Sequence, residues 1–469
     1  MQKIFRLLFL LFLSLNKINA QKALTIEEVT KIVIAKSNKV KMIDNNFSKA
    51  TIESSFYRIS LLPKVSATIS LPYQRSISEV IQSDGSQRFI ERNYLNNTLN
   101  LTISQAVPFT GGSLSLSSSL NGSRDFNNNI TNFSSNWLTL SYQQAINGFN
   151  SFKWNKKLNF LNKEKDSINY LKEKIKLKYE ISKLYLDTQL IQSRIDLLKA
   201  NIQKTENLVF ELEEKLKFGR VIKLDIEQAK ITLEQLNKQL QINNLDYLSG
   251  IKSLKNWMGD KSKDAYILAA INPVDFTIDK KVLKEAIKKN GFDLEKTIEL
   301  IESEANIDKV KKEGAISINL QFGLGLNSTA SEFSNLYDVP AQSQYVTIGT
   351  KIPILDWGKA KKNYALAKLE KDNLQLQLEE EEEEIEEQLE EFSNYHLSLI
   401  SQTSSLKEQL KLSKSINEMF DELLKLGRKT TAEYKTQLVE TFNINVEYQK
   451  AINNLYLLKL KINEMNLIF

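Results

Sequence analysis

The chain contains no cysteine. That excludes a disulfide framework, a thiolate metal site and a lipid-modified cysteine anchor. Only one histidine, His396, occurs in 469 residues, and no Ser-His-Asp set is identifiable around it. A glycine-rich phosphate loop is missing, and no carboxylate pair stands out from a background of 57 acids. An enzyme reading therefore has no positive support, and neither a cofactor nor a metal is implied. Also missing is any apolar run near the ~20 residues that a membrane-spanning helix needs. If the protein lies in a membrane, it does so as a β-barrel. Finally, the six prolines (63, 72, 108, 273, 340 and 353) all fall outside 149–258 and 359–469, where glycine is scarce too.

Residues 1–20 read as a secretory signal. Lys3 and Arg6 precede the apolar run Leu7 to Leu13, and Ala20 offers a small residue for cleavage. Removing Lys3, Arg6 and Lys17 takes the formal charge from +6 to +3. With no basic arm or stripe, nucleic acid is not expected as a partner.

The chain repeats itself. Thr25-Ile26-Glu27-Glu28, Pro63-Lys64-Val65-Ser66, Asn147-Gly148-Phe149 and Lys217-Phe218-Gly219-Arg220 find counterparts further on. These are Thr277-Ile278-Asp279-Lys280, Gly314-Ala315-Ile316-Ser317, Trp357-Gly358-Lys359 and Lys425-Leu426-Gly427-Arg428. The offset falls from about 250 to about 210 along the chain, which is a tandem duplication with about 41 extra residues in the first copy's β-rich stretch.

Each copy has the same order. Ile26, Val29, Ile32, Val33 and Ala35 predict an amphipathic helix within 24–60, ended by Pro63. From 64 to 146 the period becomes two: Val65, Ala67, Ile69 and Leu71 alternate with Ser66, Thr68 and Ser70, and Leu99, Leu101 and Ile103 with Asn100, Thr102 and Ser104. Leu114 and Leu116 alternate with serines, as do Leu138, Leu140 and Tyr142 with Thr139 and Ser141; Gly111-Gly112 and the Asn-rich 121–132 segment read as turns. The second copy shows two such runs, Ile316 to Leu326 and Val346 to Ile352. Aliphatic on one face and Ser, Thr, Asn or Gly on the other is the pattern of strands between lipid and water. Long helices follow. Ile195, Ile202, Val209 and Leu216 keep a sevenfold spacing, as do Leu378, Ile385, Phe392, Leu399 and Leu406. Gly219 and Gly427 then mark tight turns into return helices. The expected layout is a first repeat over 21–260, with strands about 64–146 and a helical hairpin over 151–258. A second repeat over 261–469 has strands about 315–354 and a hairpin over 357–468.

This order, duplicated, resembles the TolC-type outer-membrane efflux proteins over essentially the whole mature chain. Leu61-Leu62-Pro63-Lys64-Val65 is similar to that family's approach to its first strand, and Ile352-Pro353-Ile354-Leu355-Asp356-Trp357-Gly358 to its strand-to-helix corner. Phe218-Gly219-Arg220 with Asp225 looks like its hairpin tip, and Trp257-Met258-Gly259 like the end of its first repeat. The resemblance implies a mostly α protein with transmembrane β. It would be a homotrimer whose strands pool into one outer-membrane β-barrel, continued by a periplasmic α-helical barrel, in a Gram-negative bacterium. Its implied work is passive export through a duct docked to a periplasmic adaptor and an inner-membrane pump of RND or ABC type. Physics reaches the oligomer separately: four or six strands are fewer than the ~8 that close a single-chain barrel, and open edges cannot face lipid. One departure stands out. The family has two strands per repeat, whereas the first copy here has four strand-like runs. Either the barrel grows to eighteen strands per trimer, or one hairpin is a loop or plug.

By this resemblance, Phe218, Gly219, Arg220, Leu426, Gly427 and Arg428 are the expected adaptor contacts. Asp225, Glu418 and Asp421, with the two tip arginines, are in range to hold the tips shut. The glutamate run Glu379 to Glu391 is broken only by Ile385, Gln388 and Leu389. The repeat offset sets its Glu381, Glu383, Glu384 and Glu387 level with Lys172, Lys174, Lys176 and Lys178, which suggests charge pairing between neighbouring helices. His396, on the seam of the second long helix, reads as an interior residue. A competing reading is a secreted coiled-coil structural or adhesin-like protein. A third is a periplasmic adaptor, but such a protein has one hairpin flanked by small β domains.

Overall fold

A computed structural model describes residues 22–467 apart from Arg220, Lys263 and Gly427. The expected signal segment 1–20 and the tip residues Arg220 and Gly427 lie outside the described residues. The chain divides into two compact units, one holding the described residues up to Phe47, Ser167–Phe292 and the chain from Glu382 onward, the other Ser48–Asp166 and Asp293–Glu381. Among the described residues, no helix is long and apolar enough to cross a membrane.

The helices begin where sequence signals place them. Helix α1 (Ile26–Lys36) opens on a reciprocal capping box, in which the Glu28 amide donates to Thr25 Oγ1 at 3.2 Å and the Thr25 amide to Glu28 Oε2 at 2.9 Å. Its counterpart α5 (Lys280–Ile287) opens on Asp279, whose Oδ1 accepts from the Lys281 and Val282 amides. The single helix expected before Pro63 is divided into α1 and α2 (Asn38–Ser60). Ser37 has extended backbone there and its hydroxyl accepts the Lys39 amide, closing one helix and starting the next.

With no proline to interrupt them, α3 (Ser151–Lys217) and α7 (Lys359–Lys425) run 67 residues each, about 100 Å if straight. They return as α4 (Lys223–Met258) and α8 (Thr431–Met465). Of the heptad residues, Ile195 on α3 and Leu378, Leu399 and Leu406 on α7 are buried, Ile202, Val209, Ile385 and Phe392 are half-buried and Leu216 is exposed; Leu198 and Leu212 of α3 are buried as well. In the unit that holds both hairpin ends, a parallel ladder of β1 (Lys22–Leu24) on β7 (Tyr266–Leu268) lies in a core of Val29, Val33, Ile181, Leu186 and Leu254. Tyr185, fully buried, clamps that ladder by donating to the carbonyls of Leu24 (2.7 Å) and Ala269 (2.8 Å).

The other unit contains the sheet. Its strands are β2 (Lys64–Ser70), β3 (Tyr73–Ile81), β4 (Gln87–Val107), β5 (Gly112–Asp125), β6 (Ile130–Ile146), β8 (Ser317–Ala330) and β9 (Ala341–Lys351). The order is β2-β4-β5-β6-β8-β9, every pairing antiparallel, and β3 pairs with the far half of β4. Pro72 interrupts one long outer lane into β2 and β3, since proline cannot donate to the ladder. The first copy therefore supplies four lanes and the second two. The surplus residues are paired sheet rather than loop. Helix α6 (Asp293–Glu313) packs in this unit, where Trp154 Nε1 donates to Asp308 Oδ2 at 3.1 Å and Lys371 meets Glu304 at 3.1 Å.

Candidate functional site

The sheet has a helix-connected end and a free end. All four helix connections (61–63, 147–150, 314–316 and 352–358) and the 108–111 turn are at the first; the turns 82–86, 126–129 and 331–340 are at the other. In antiparallel pairing, opposed residues share a face, so the register maps both surfaces. One row reads Val65, Ile103, Leu116, Leu140 and Leu324, then Gln344, through all six lanes. Beside it run Leu114, Tyr142, Phe322 and Val346. The rows of the opposite face read Ser66, Thr102, Ser117, Thr139, Gly325, Ser343 and, one step on, Ser104, Ser115, Ser141, Gly323, Tyr345.

The polar face is knitted by its own hydroxyls and amides. Ser115 and Ser141 share a hydrogen bond at 2.7 Å, Asn136 Nδ2 donates to Ser119 Oγ at 3.0 Å, and Gln321 Nε2 to Tyr345 OH at 3.3 Å. Gly323 is required here, because the Tyr345 ring lies where a Cβ would be, 2.3 Å from it. On the strand stretches between the helix-connected end and the level of the Pro72 break, charges occur only at the two ends: Lys64 and Lys351 at the helix-connected end, Arg124 and Asp125 at the other.

The apolar face is exposed in the single chain, with Val65, Ile69, Val346 and Ile348 each about two-thirds accessible. From Ile318 to Leu326 the β8 part of it runs about 26 Å along the strand, matching the ~25 Å apolar band of membrane barrels. Aromatic residues flank it. Near the free end Phe133 packs on Phe333 and Trp137 on Tyr337, with ring centroids 5.6 and 5.3 Å apart. At the helix-connected end Phe109, Ile354 and Trp357 are almost fully exposed, an arrangement suited to a headgroup boundary.

The hairpin ends form a second set of candidates. Phe218 and Leu426 are exposed, Arg428 is exposed, and Gly219 turns the chain with φ 67° in open space. Just behind them Leu208, Leu212, Ile226, Ala229, Tyr434 and Leu438 form a small core. Asp421 accepts from Tyr434 OH at 2.7 Å and receives Lys204 Nζ at 3.6 Å. Burial and the Asp421 carboxylate push the Tyr434 hydroxyl's pKa up. Asp225 accepts from the Ile222 amide, a helix-start contact, and Glu418 is exposed. Lys204 was missed in the sequence because it lies far from the Gly219 turn in chain order, and Tyr434, although close to Gly427, because it carries no charge.

The charge run has partners that the sequence did not bring forward. Lys280, Lys284 and Lys288, spaced by four, face Glu390, Glu386 and Glu382, also spaced by four. Lys174 instead bonds Tyr170 and Asp44, which raises its pKa. Lys172 reaches over Gly291, Lys176 is exposed and Lys178 is half-buried. Glu381, Glu383, Glu384 and Glu387 are exposed on α7. His396 is an interior residue, its ring 4.3 Å from that of Phe276, and burial lowers its pKa. Among the described residues no group of acids, histidines or cysteines is arranged to hold a metal.

A two-copy strand-and-hairpin chain of this order has the TolC-type channel fold. Solved structures with that fold include the CmeC outer-membrane channel of Campylobacter jejuni. It shares 14% identity at a TM-score of 0.68 over 95% of this chain and 86% of that one. CusC, studied for transmembrane channel formation, gives 13% and 0.67 over 94% and 91%. The outer-membrane protein VceC of Vibrio cholerae gives 10% and 0.67 over 94% and 96%. No family model and no curated protein matches the chain.

Proposed function

We propose that this protein is the outer-membrane duct of a multi-component export system, a passive conduit from periplasm to exterior. Behind a signal peptide (1–20), two repeats over 21–260 and 261–469 would assemble as a homotrimer. The observation that carries this reading is the six-lane register, with an aliphatic row crossing five of the lanes on one face and a hydroxyl and amide surface, charged only at its ends, on the other. A soluble sandwich would have to cover the aliphatic face with protein; here it stands open at the length of a bilayer core. Outer edges at β2 and β9 leave main-chain groups unpaired, and lipid tolerates none of them. Partner copies would satisfy both.

The likeness to CmeC, an outer-membrane channel, and to VceC, an outer-membrane protein, supports the same placement. In this reading the hairpin-tip residues Phe218, Gly219, Arg220, Leu426, Gly427 and Arg428 meet a periplasmic adaptor, which brings the inner-membrane pump. Asp421, Asp225 and Glu418 would contribute to holding the tips together. Glu381, Glu383, Glu384 and Glu387 would meet Lys172, Lys174, Lys176 or Lys178 of a neighbouring helix in the assembled tube.

The test is the mass of the protein extracted from outer membranes in mild detergent without heating. A particle of about three chains, converted to one by heat, supports the duct. A monomer that needs no detergent overturns it.

A further inference from the structure

The strand β5 decides how a pooled barrel would be built. It is paired along nearly its whole length on both sides, from Tyr94↔Asp125 to Val107↔Gly112 with β4 and from Ser113↔Gln143 to Asp125↔Ile130 with β6. Its side chains keep the faces of the sheet: Leu114, Leu116 and Leu120 fall in the aliphatic rows, and Ser113, Ser115, Ser117 and Ser119 in the polar ones. A plug inside a lumen would be wetted on both faces and would not extend the aliphatic belt. A surface loop would not be paired on both sides.

The two outer lanes are also matched. β2 runs away from the helix-connected end and β9 runs toward it, so β9 of one copy beside β2 of the next continues the antiparallel alternation. Adding identical six-lane sheets therefore never forces a parallel pair. An even number of alternating strands is what outer-membrane barrels have.

We infer that the occupant of each open edge is a second copy of this chain, and that three copies of six lanes close one eighteen-stranded barrel with a charge-free lumen. This rests on the trimeric reading above and goes beyond it in the strand count and the wall. At ~4.8 Å between strands and a tilt of ~40°, eighteen strands close at a backbone diameter of about 36 Å, against about 24 Å for twelve. Barrels of sixteen to eighteen strands leave an open aqueous channel. Between Lys64 and Lys351 at one end and Arg124 and Asp125 at the other, the lumen wall offers Ser, Thr, Asn, Gln, Gly and Tyr with a few alanines (Ala106, Ala145 and Ala341), and no charged side chain. Rings of like charge, which give pores their ion preference, are missing from that wall. The membrane section thus takes bulky solutes without regard to their charge, and selection falls to the helical part and the pump.

Two measurements test this on the full-length protein. Averaged electron-microscope images of the unmodified detergent-extracted oligomer should show a ring of about 36 Å backbone diameter. A ring of about 24 Å on a trimeric particle overturns the eighteen-strand barrel while leaving the duct in place; a monomer overturns both. The chain has no cysteine of its own, so Leu116→Cys and Ser117→Cys each place one probe on β5. In outer-membrane vesicles a water-soluble maleimide should label Ser117→Cys and leave Leu116→Cys unlabelled. A bimane on Leu116→Cys should be quenched by brominated lipid. Aqueous labelling of both positions at similar rates would show the hairpin inside the lumen and refute the wall.

Discussion

Tyr434 donates its phenolic hydrogen to Asp421 at 2.7 Å, joining the two arms of the second hairpin thirteen residues apart in sequence. Lys204 of the first hairpin reaches the same carboxylate. One acid thus ties together elements from both repeats. A hydrogen bond to a charged acceptor is worth ~1.5–3 kcal/mol, and less where water competes. Tyr434→Phe keeps the ring in its core and removes only the hydroxyl. The expected result is a loss of about 1 kcal/mol, seen as faster cleavage by trypsin at Lys429 with little change elsewhere. Unchanged proteolysis would mean that the contact does not hold the hairpin end.

Glu433 gives a pH signature. Lys429, together with the Thr430 amide and hydroxyl, holds its carboxylate well below the usual range, from 4.5 down to about 2. A depressed folded pKa contributes stability above the unfolded value, and that stability is lost as pH falls through the folded one. The second hairpin should therefore loosen between pH 4.5 and about 2. Glu433→Gln should flatten that part of the acid limb in a protease-sensitivity profile. An identical profile would remove Glu433 from the acid response.

The two faces of the sheet should respond oppositely to charge. Leu324→Arg puts a cation in the aliphatic row and should cost about 2–4 kcal/mol at mid-depth. Thr139→Lys, on the polar face, should cost far less. The yield of heat-modifiable oligomer in the outer-membrane fraction compares them, and equal losses would contradict the assignment of faces.

The ladder of Lys280, Lys284 and Lys288 on Glu390, Glu386 and Glu382 is solvent-accessible, so each pair is worth ~0–1 kcal/mol. Changing the three lysines together to alanine should lower stability by no more than about 2 kcal/mol. The deficit should shrink in 0.5 M salt as screening takes over (the Debye length falls to roughly 4 Å). A deficit that ignores salt would point to lost packing by the lysine stems instead.

Reversing Lys172, Lys174, Lys176 and Lys178 to glutamate examines the proposed contact between copies. Its expected effect is a lower dissociation temperature of the unheated oligomer on a denaturing gel. Restoring charge with Glu381, Glu383, Glu384 and Glu387 changed to lysine should recover part of it. Since Lys174 also holds Asp44 in its own chain, the recovery, rather than the loss, is the diagnostic arm.

What was legible in the sequence follows from physics that acts along the chain. The long helices were legible because no proline interrupts them and the seam recurs every seven residues. The strands β2, β4 and β6 were legible because aliphatic residues alternate in them with Ser, Thr and Asn, so the period of two gives the faces directly. Strand β3 was not: Arg75 pairs with Glu91 of β4, charges fall among its apolar residues, and only the neighbouring lane holds it. Nor was the Lys284–Glu386 contact, which joins residues far apart in the chain. The repeat offset aligned equivalent positions of the two copies, and equivalence in sequence does not give adjacency in space. The place of the surplus residues needed the register, since Leu116 and Ser117 show their faces only when opposed to Ile103, Leu140 and their neighbours.

Beyond Tyr94 and Asp125 the outer lane has no third strand, so β3 and the first half of β4 continue as a two-stranded ribbon to the turn at Gln82–Ser86. Nothing in the sheet depends on the tip of that ribbon, where Gly85 has open space around it. Lengthening a loop raises its closure entropy only logarithmically. The Asp84–Gly85 bond is consequently the natural port for an inserted peptide tag, and on the outer-membrane reading proposed above an antibody applied to intact cells would read it.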